Sequence, residues 1–437
     1  MAELRVILDK SVVHGLSNPE IDSVDRYFSQ IIPPILINEI LAELTKEAET
    51  PTIVNRIASH SYRISGNRVI TPKYWPILIH SLIGNEPPMD GRCIPLGEKT
   101  VRSEDGFIGG RIETSLEDET IARWERKQFT EKEKTWAAEW RERMEKPLRL
   151  KLYLENISKA GLEFTPPKSD EDLVAKVDSL LQERSLQVRL FPLLSREHSI
   201  PIEYQDQAIK RWFKEGRPLF KDFARYAFFC LRAGFIWTLG LTNRQLFKPD
   251  KNDRKDLEYC YHLPHSEIFV SGDNKHKRLV PFLLRSDQSF VNQDDLKADL
   301  KNLSDKWDTL SREEKIQMHA ERGHAPPEDE NSLVFQLWKK HRNKIVKPIH
   351  PSFLKMKVVD TRLPEEEQVP ITFEEFLRKM MKETKAASEV LVNESAKPNP
   401  SDESDEKAFL MRSTKISKKR LLKMYPQLTE EDLKDSD

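Results

Sequence analysis

The hydrophobic pattern near the start of the chain predicts a strand buried on both faces. Residues 4–8, LRVIL, form an almost continuous apolar run that ends at Asp9, as is typical of strands in a parallel sheet. A second run, residues 267–271, is followed within two residues by Asp273 and predicts another strand. The pattern therefore predicts a central parallel sheet that contains both segments.

Helical patterns occupy much of the remaining chain. Residues 19–30 have a helical pattern, and an amphipathic helix is predicted over about 38–46, after an extended stretch that contains two prolines. Residues 115 to about 145 are dense in Glu, Lys and Arg, as in exposed helices. Further charged or basic helices are predicted over 293–323 and 332–344.

The most apolar segment, residues 226–241, is predicted to be a buried helix. It contains Arg232 and falls short of the roughly 18 to 20 apolar residues that a membrane span needs. We therefore expect no membrane partner.

Net charge, cysteine spacing and the first residues of the chain each exclude some classes of protein. The 437 residues carry a formal net charge of −1, so any binding of a polyanion has to come from a local patch. Three cysteines lie far apart and form no CxxC pair, which favours reduced thiols over a disulfide framework or a zinc site. The first residues lack the pattern of a signal peptide, and we expect a cytoplasmic protein.

Four acidic residues lie where predicted elements begin or end. Asp9 and Asp273 follow the two strands. Asp256 opens the helix that precedes the second strand, and Glu39 lies near the start of the helix after the proline stretch. The carboxyl ends of parallel strands share one edge of a sheet, which is where ligands bind. A helix that leads into a strand begins at that same edge, so Asp256 is expected there too.

Clustered carboxylates predict a bound cation. Close carboxylates raise one another's pKa values, and a divalent cation that prefers oxygen ligands, Mg²⁺ or Mn²⁺, compensates for their repulsion. Such ions activate water and stabilise charge on a phosphodiester. Basic residues are predicted to contact the nucleic acid, although the last three fit a solvated helix face equally well: Lys275, Lys277, Arg278, Lys339, Lys340 and Arg342.

The three segments that carry these acids resemble the acidic motifs of the PIN-like nuclease superfamily. They are VILDKSVV at 6–13, PILINEILAEL at 34–44 and DLEYCYHLPHSEIFVSGD at 256–273. The first resembles the family's strand-Asp-x-Ser/Thr start, and the second its glutamate in the helix after strand two. The third resembles its Asp-opened helix and following strand, which ends in Ser/Thr-x-Asp.

The resemblance implies a Rossmann-like, three-layer α/β/α fold and metal-dependent cleavage of RNA or DNA, and of the two we predict RNA as the substrate. It implies catalytic, metal-binding roles for Asp9, Glu39, Asp256 and Asp273. The hydroxyls of Ser11 and Ser271 become further candidates for the site, and Asp253, one helical turn before Asp256, is an additional candidate ligand. Some members of the superfamily are toxins of toxin–antitoxin pairs, so an antitoxin or another protein bound through the tail is a candidate partner.

The long separation between Glu39 and Asp256 departs from the compact family pattern and predicts a large insertion. The expected organisation is a PIN-like domain made of 1–49 and about 205–350, a mostly helical insertion over about 50–204, a helical extension over about 351–383, and a flexible tail with a short basic helix over about 384–437.

Two other functions remain open from the sequence. The domain can bind nucleic acid or protein without cleaving it, or the α/β part can be a scaffold for a working insertion and tail. Three histidines near the last motif, His262, His265 and His276, lack a tight ligand spacing and are interpreted as surface or loop residues. No phosphate-binding loop of the GxxxxGK[ST] kind is present.

Overall fold

A five-stranded sheet forms the centre of the protein, whose computed structural model describes residues 4–45, 51–96, 98–102, 108–112, 115–146, 148, 150–159, 162, 164–243, 247–342, 357–358 and 371–372. The strands are β1 Leu4–Leu8, β2 Phe28–Ile32, β3 Arg68–Ile70, β4 Glu98–Arg102, β5 Ile108–Ile112, β6 Ile268–Ser271, β7 Ser289–Asn292, β8 Lys357–Val358 and β9 Ile371–Thr372. The central sheet has the order β3-β2-β1-β6-β7.

Helices make up most of the remaining described residues. They are α1 Lys10–Gly15, α2 Asn18–Tyr27, α3 Pro34–Leu41, α4 Pro51–Arg63, α5 Tyr74–Leu82, α6 Leu116–Glu125, α7 Glu131–Glu145, α8 Leu150–Lys159, α9 Asp170–Gln182, α10 Gln187–His198, α11 Ile202–Lys214, α12 Phe220–Phe223, α13 Arg225–Thr242, α14 Asp253–Cys260, α15 Asn274–Leu279, α16 Gln293–Asp308, α17 Arg312–Arg322 and α18 Leu333–His341.

Every neighbouring pair in the central sheet is parallel, which confirms the α/β class. All residues of β2 and β6 are buried, because helices cover both faces of the sheet and remove the strands from water. The two predicted strands are neighbours, with Ile7 opposite Phe269. The chain runs outward from β1 to β3 and then returns to place β6 on the other side of β1. The β1–β6 boundary is thus the switch point at which α/β sheets bind ligands.

Several predicted boundaries were wrong. The pattern over 19–30 divides into α2 and the first residues of β2. The helix predicted over 38–46 begins earlier, at Pro34, because proline is favoured in the first turn of a helix. Asp256 does not open its helix, because α14 begins at Asp253. The expected insertion, 50–204, is mostly helical, yet it also supplies β3, which pairs with β2 inside the central sheet.

The apolar segment around 226–241 forms α13, whose side chains are mostly buried. This confirms a helix of the protein core. In the described part of the chain, no helix has the length and apolar character that crossing a membrane requires.

The chain divides into two compact units, 1–348 and 349–437. The first contains the central sheet and its helices. In the second, the described residues pair β8 antiparallel to β9, so the four described residues of the predicted helical extension are strands. The predicted tail, 384–437, lies outside the described residues.

Candidate metal centre

A cavity of about 650 Å³ opens at the carboxyl edge of the sheet, at the switch point between β1 and β6. It is lined by all four acids that the sequence singled out and by residues from α3, α4, α7, α14 and α16. Its lining includes Asp9, Lys10, Ser11, Glu39, Glu43, Arg56, Trp140, Arg141, Met144, Lys251, Lys255, Asp256, Tyr259, Gly272, Asp273 and Gln293. Acids separated by more than 200 positions in sequence therefore face one space.

Asp9 is buried where β1 turns into α1. Its Oδ1 caps α1 by accepting the backbone N–H of Val12 at 2.9 Å, and it also accepts the hydroxyl of Ser11 at 2.6 Å. Its Oδ2 accepts the hydroxyl of Ser271 from the neighbouring strand. Burial raises the pKa of Asp9, but hydrogen bonding and charge from His276, with the two serine hydroxyls, outweigh burial and hold that pKa below its ordinary value. Asp9 is therefore ionised at neutral pH.

His276 holds Asp9 and α14 in position through its two ring nitrogens. Its Nδ1 lies 2.9 Å from Ser271 Oγ and 3.8 Å from Asp9 Oδ2. Its Nε2 donates to the carbonyl of Asp256 at 2.9 Å. Burial lowers the pKa of His276, but the contact with Asp9 outweighs that effect, and the pKa stands well above its ordinary value. One buried cation thus fixes the positions of both Asp9 and α14.

Asp273 combines two roles at the start of α15. Its Oδ1 caps the helix by accepting the backbone N–H groups of Lys275 at 2.7 Å and His276 at 3.0 Å. Within the described chain no group donates to its Oδ2, and the residue lines the cavity. One carboxylate oxygen therefore orients the side chain, and the other remains available for a cation.

Glu39 reaches the cavity from the second half of α3. Tyr259 donates its hydroxyl to Glu39 Oε2 at 2.8 Å, and the Lys255 ammonium lies 3.8 Å from Oε1. Burial is the largest influence and raises the pKa of Glu39, while the charges of Lys10 and Lys255 oppose it. α14 thus supplies both the partners of Glu39 and the neighbouring acid.

Among the four acids, Asp256 has the fewest described contacts that stabilise its carboxylate. It lines the cavity, and none of the described residues donates a hydrogen bond to its carboxylate. Burial raises the pKa of Asp256 to about 8, and the negative charges of Asp273, Glu39 and Asp250 add to that rise despite His276. A hard divalent cation would supply the positive charge that this carboxyl lacks.

A second group of acids surrounds the start of α14. Carboxylate oxygens of Asp250, Asp253 and Asp256 lie within 4.8 Å of one another and could hold a metal ion. However, the Lys275 ammonium contacts Asp253 and lies 2.7 Å from Asp250. Asp253 is only 1% exposed and is not among the residues that line the cavity. Its charge is thus already compensated, and Asp256 is the member that faces the cavity.

Ser11, the other serine candidate, extends the network to α16. Its hydroxyl lies 3.1 Å from Gln293 Oε1. The Gln293 amide packs against Gly272, where an added Cβ would lie 2.5 Å from Oε1. Glycine therefore allows the strand end, Ser11 and Gln293 to approach closely beside the acids.

Two of the six basic residues predicted to contact nucleic acid are paired close to the site. Lys275 is held between Asp250 and Asp253, and Arg278 binds Asp170 at 2.7 Å and covers the Phe247 ring. Lys277 is exposed. The cations that do line the cavity come from elsewhere: Lys10, Arg56, Arg141, Lys251 and Lys255.

The three basic residues of the later helix lie at the opposite, amino edge of the sheet. Arg342 forms two contacts with Glu267, at 2.6 and 2.8 Å, just before β6. Lys340 donates to the carbonyl of Gln288 and to the hydroxyl of Ser289, at the start of β7. Lys339 pairs with Glu330 at 2.7 Å. The structure therefore does not bring this group to the acids.

The interpretation of the three histidines as surface residues was wrong. His262, His265 and His276 are all buried. The first two lie in the turn before β6, where tight packing against the sheet excludes water, and burial lowers their pKa values to about 3 and about 4. His276 stands out because its two ring nitrogens contact the site.

Most residues that contact and orient the acids were not predicted from the sequence. Tyr259 and Lys255 lie three positions after and one before Asp256, so helical spacing alone could have suggested Tyr259 as a neighbour. Nothing in the pattern pointed to Gln293 or to Trp140 and Met144 of α7, because long-range packing brings them to the cavity.

Comparison of this chain with protein-family models, with curated proteins and with solved structures finds no match.

Proposed function

We propose that this protein is a metal-dependent nuclease that hydrolyses phosphodiester bonds, of RNA rather than DNA. The observation that carries the proposal is the meeting of Asp9, Glu39, Asp256 and Asp273 around one cavity at the sheet's switch point.

The types of donor suit Mg²⁺ or Mn²⁺, although in the described chain the acids whose oxygens lie mutually within 4.8 Å are Asp250, Asp253 and Asp256. The ligands on offer are carboxylate oxygens, which hard divalent cations prefer, and Asp256 and Asp273 Oδ2 have no competing donor among the described residues. When bound, such an ion supplies an activated water and stabilises negative charge on the phosphate.

The surrounding residues orient the acids and supply positive charge. Ser11, Ser271 and His276 hold Asp9 in place through hydrogen bonds and charge. Tyr259 fixes Glu39. The Lys255 ammonium, half-buried beside Glu39, adds a fixed positive charge where a phosphate oxygen would approach the acids.

The shape of the site favours a flexible single strand as substrate. The acids line a cavity rather than a flat surface, so a scissile phosphate has to leave a regular duplex to reach them. Lys251 and Arg56 line the same cavity and supply positive charge for a phosphate backbone, and the Trp140 ring from α7 offers an apolar wall for a base.

Cleavage of end-labelled single-stranded RNA and DNA in Mn²⁺, Mg²⁺ or EDTA tests the proposal. The wild-type protein is compared with Asp9→Asn and Asp273→Asn, because Asn retains the oxygen that caps α1 and α15 while it removes the charge. Circular dichroism confirms that each variant folds. We expect metal-dependent cleavage of RNA that both substitutions abolish.

The matched control is Asp295→Asn, which removes an exposed acid from the first turn of α16 without touching the cavity. It should cleave as the wild type does. Absence of cleavage, together with no Mn²⁺ binding by calorimetry, would contradict the nuclease function. Mn²⁺ binding and RNA binding without cleavage would instead favour a non-cleaving nucleic-acid-binding domain.

A further inference from the structure

A second cavity, of about 350 Å³, lies on the other face of α14. Helices α8, α10, α13 and α14 enclose it, and among its lining residues only Met144 also lines the acidic cavity. Its volume is that of a site for a small organic molecule. None of the four clustered acids lines it, so its role is separate from the metal centre.

The walls of this second cavity are largely aromatic and aliphatic. The rings of Tyr153 and Phe235 meet edge to face, with their centroids 5.8 Å apart. Leu152, which is 41% exposed, lies at the rim and leaves apolar surface in contact with water. A ligand with an apolar body would cover that surface.

Four polar atoms of residues that line this space lack a hydrogen-bond partner in the described chain: Glu197 Oε2, His198 Nε2, the Tyr153 hydroxyl and Arg254 Nε. Two of them belong to adjacent residues, Glu197 and His198. Glu197 Oε2 is shielded from solvent and has no hydrogen-bond partner in the described chain. His198 is only 4% exposed, and its Nε2 is also without a partner, while its Nδ1 lies 3.5 Å from the Tyr74 hydroxyl. Buried polar atoms are nearly always satisfied, so both indicate a missing binding partner.

The chain is shaped to keep the Glu197 carboxyl in this position. It packs against α13 at Gly234, where a Cβ would lie 1.9 Å from Glu197 Oε1. Any larger residue at position 234 would displace the carboxyl. Glycine in a helix interior is costly relative to alanine, and the close approach of Glu197 supplies a reason for it.

No cation of the described chain forms an ion pair with Glu197, although two arginines line the same cavity. Glu197 adds to the rise in pKa that burial causes at four side chains of other elements, Tyr74, Tyr153, Cys230 and Tyr261, and all four stay neutral. Burial also lowers the pKa of the adjacent His198 to about 3 and raises that of Glu197 to about 8. Arg254 and Glu258 of α14 and Arg196 also line the cavity, and neither arginine forms an ion pair with Glu197.

We propose that this cavity binds a small organic amine with an apolar or aromatic body. The ammonium group pairs with Glu197, and His198 Nε2 accepts a second N–H in the tautomer that carries its proton on Nδ1. The Tyr153 and Phe235 rings surround the body of the ligand, and their faces attract the positive charge. A carboxylate ligand would face the Glu197 carboxyl and is disfavoured.

Thermal-shift and calorimetric measurements on the full chain test this inference. The probes are butylamine, phenethylamine and tryptamine, each compared with the alcohol that replaces its amino group. We expect at least one amine to bind more than tenfold tighter than its alcohol, because only the amine pairs with a desolvated carboxylate. If no amine binds better than its alcohol, the inference is overturned.

Proton release gives an independent readout. Burial raises the pKa of Glu197 to about 8, so its carboxyl holds a proton in the free protein at neutral pH. Pairing with an ammonium ionises the carboxyl, so binding releases close to one proton, seen as a dependence of the calorimetric heat on the buffer's ionisation enthalpy. Proton release of the same size in Glu197→Gln would contradict the pairing with Glu197.

Variants connect the binding to the named residues. Glu197→Gln keeps the shape of the side chain and should weaken amine binding more than tenfold. Gly234→Ala should do so as well, because it displaces the carboxyl. Glu139→Gln, on the exposed face of α7, is the matched control and should bind as the wild type does. Equal amine affinity in Glu197→Gln and wild type would overturn the inference.

Discussion

The acids at the two edges of the central sheet differ in how far the protein compensates their charge. At the amino edge, Glu267 accepts two hydrogen bonds from Arg342 and one from the backbone of Arg5 at 2.9 Å. At the carboxyl edge, Asp256 has no donor among the described residues and shares its cavity with five other acids. Burial raises the pKa of both carboxyls, but cations outweigh burial at Glu267 and lower its pKa, whereas the pKa of Asp256 rises to about 8.

This difference separates a structural ion pair from a candidate binding site. A carboxylate whose charge the protein satisfies stabilises the fold and has little left to offer a ligand. A carboxylate left unsatisfied among other acids weakens the fold and gains when a cation arrives. The carboxyl edge is therefore the candidate binding edge, which is also the general position of ligands in open α/β sheets.

The largest expected effect is on catalysis at the carboxyl edge. Asp256→Asn should lower the rate of RNA cleavage about a thousandfold, because a bound metal stabilises the transition state by several kcal/mol. Glu267→Gln, at the amino edge, should leave the rate within about twofold. Single-turnover cleavage in Mn²⁺ checks both variants. A similar loss of rate in the two variants would contradict the proposed functional difference between the edges.

The next effect is on stability at the amino edge. Glu267→Gln should lower the free energy of unfolding at pH 7 by about 2 kcal/mol, because it leaves the buried Arg342 without its charged acceptor. Asp287→Asn is the matched control, since that exposed acid pairs with Arg285 near the same edge, and it should cost less than about 0.5 kcal/mol. Urea denaturation measures both, and equal effects would contradict a structural role for Glu267.

The pH dependence of stability should have opposite signs at the two edges. The raised pKa of Asp256 means that the folded protein keeps a proton that the unfolded chain releases, so stability falls as pH rises from about 4 to about 8. In metal-free buffer, Asp256→Asn should therefore become more stable than the wild type over that range.

The pKa of Glu267 is lowered on folding, so its contribution is present above its ordinary pKa of 4.5 and is lost as pH falls through the folded value. The deficit of Glu267→Gln should accordingly shrink in acid. Melting temperatures recorded from pH 3 to pH 9 in EDTA test both signs. Parallel curves for Asp256→Asn and the wild type would disprove the unsatisfied state of Asp256.

The smallest effect concerns binding of the phosphate backbone. Lys251→Gln at the acidic cavity should weaken RNA affinity several-fold and lower the slope of log K against log salt by about 0.7. Lys339→Gln, on the exposed amino-edge helix, should change neither. Fluorescence titrations at several salt concentrations separate the two cases. A lower slope only for Lys339→Gln would instead place the nucleic acid at the amino edge.

Much of the fold followed from local pattern because buried parallel strands have a distinctive sequence. The run before Asp9 and the run before Asp273 were identified correctly, and their pairing agrees with their shared apolar character. β3 was missed, since three residues at the sheet's edge, two of them half-buried, carry too little hydrophobic pattern. The start of α3 was misplaced because proline was interpreted as a stop rather than as a first-turn residue.

The sequence by itself determined the residue types of the candidate metal centre and the strand ends that carry two of its acids. A side chain that follows a parallel strand must lie at the carboxyl edge, whatever the rest of the fold does. Only the tertiary structure decided which neighbours those acids have: Tyr259 and Lys255 at Glu39, His276 beneath Asp9, and the absence of any described donor at Asp256. Burial and charge depend on contacts between distant segments, and those contacts set the pKa values on which the chemistry depends.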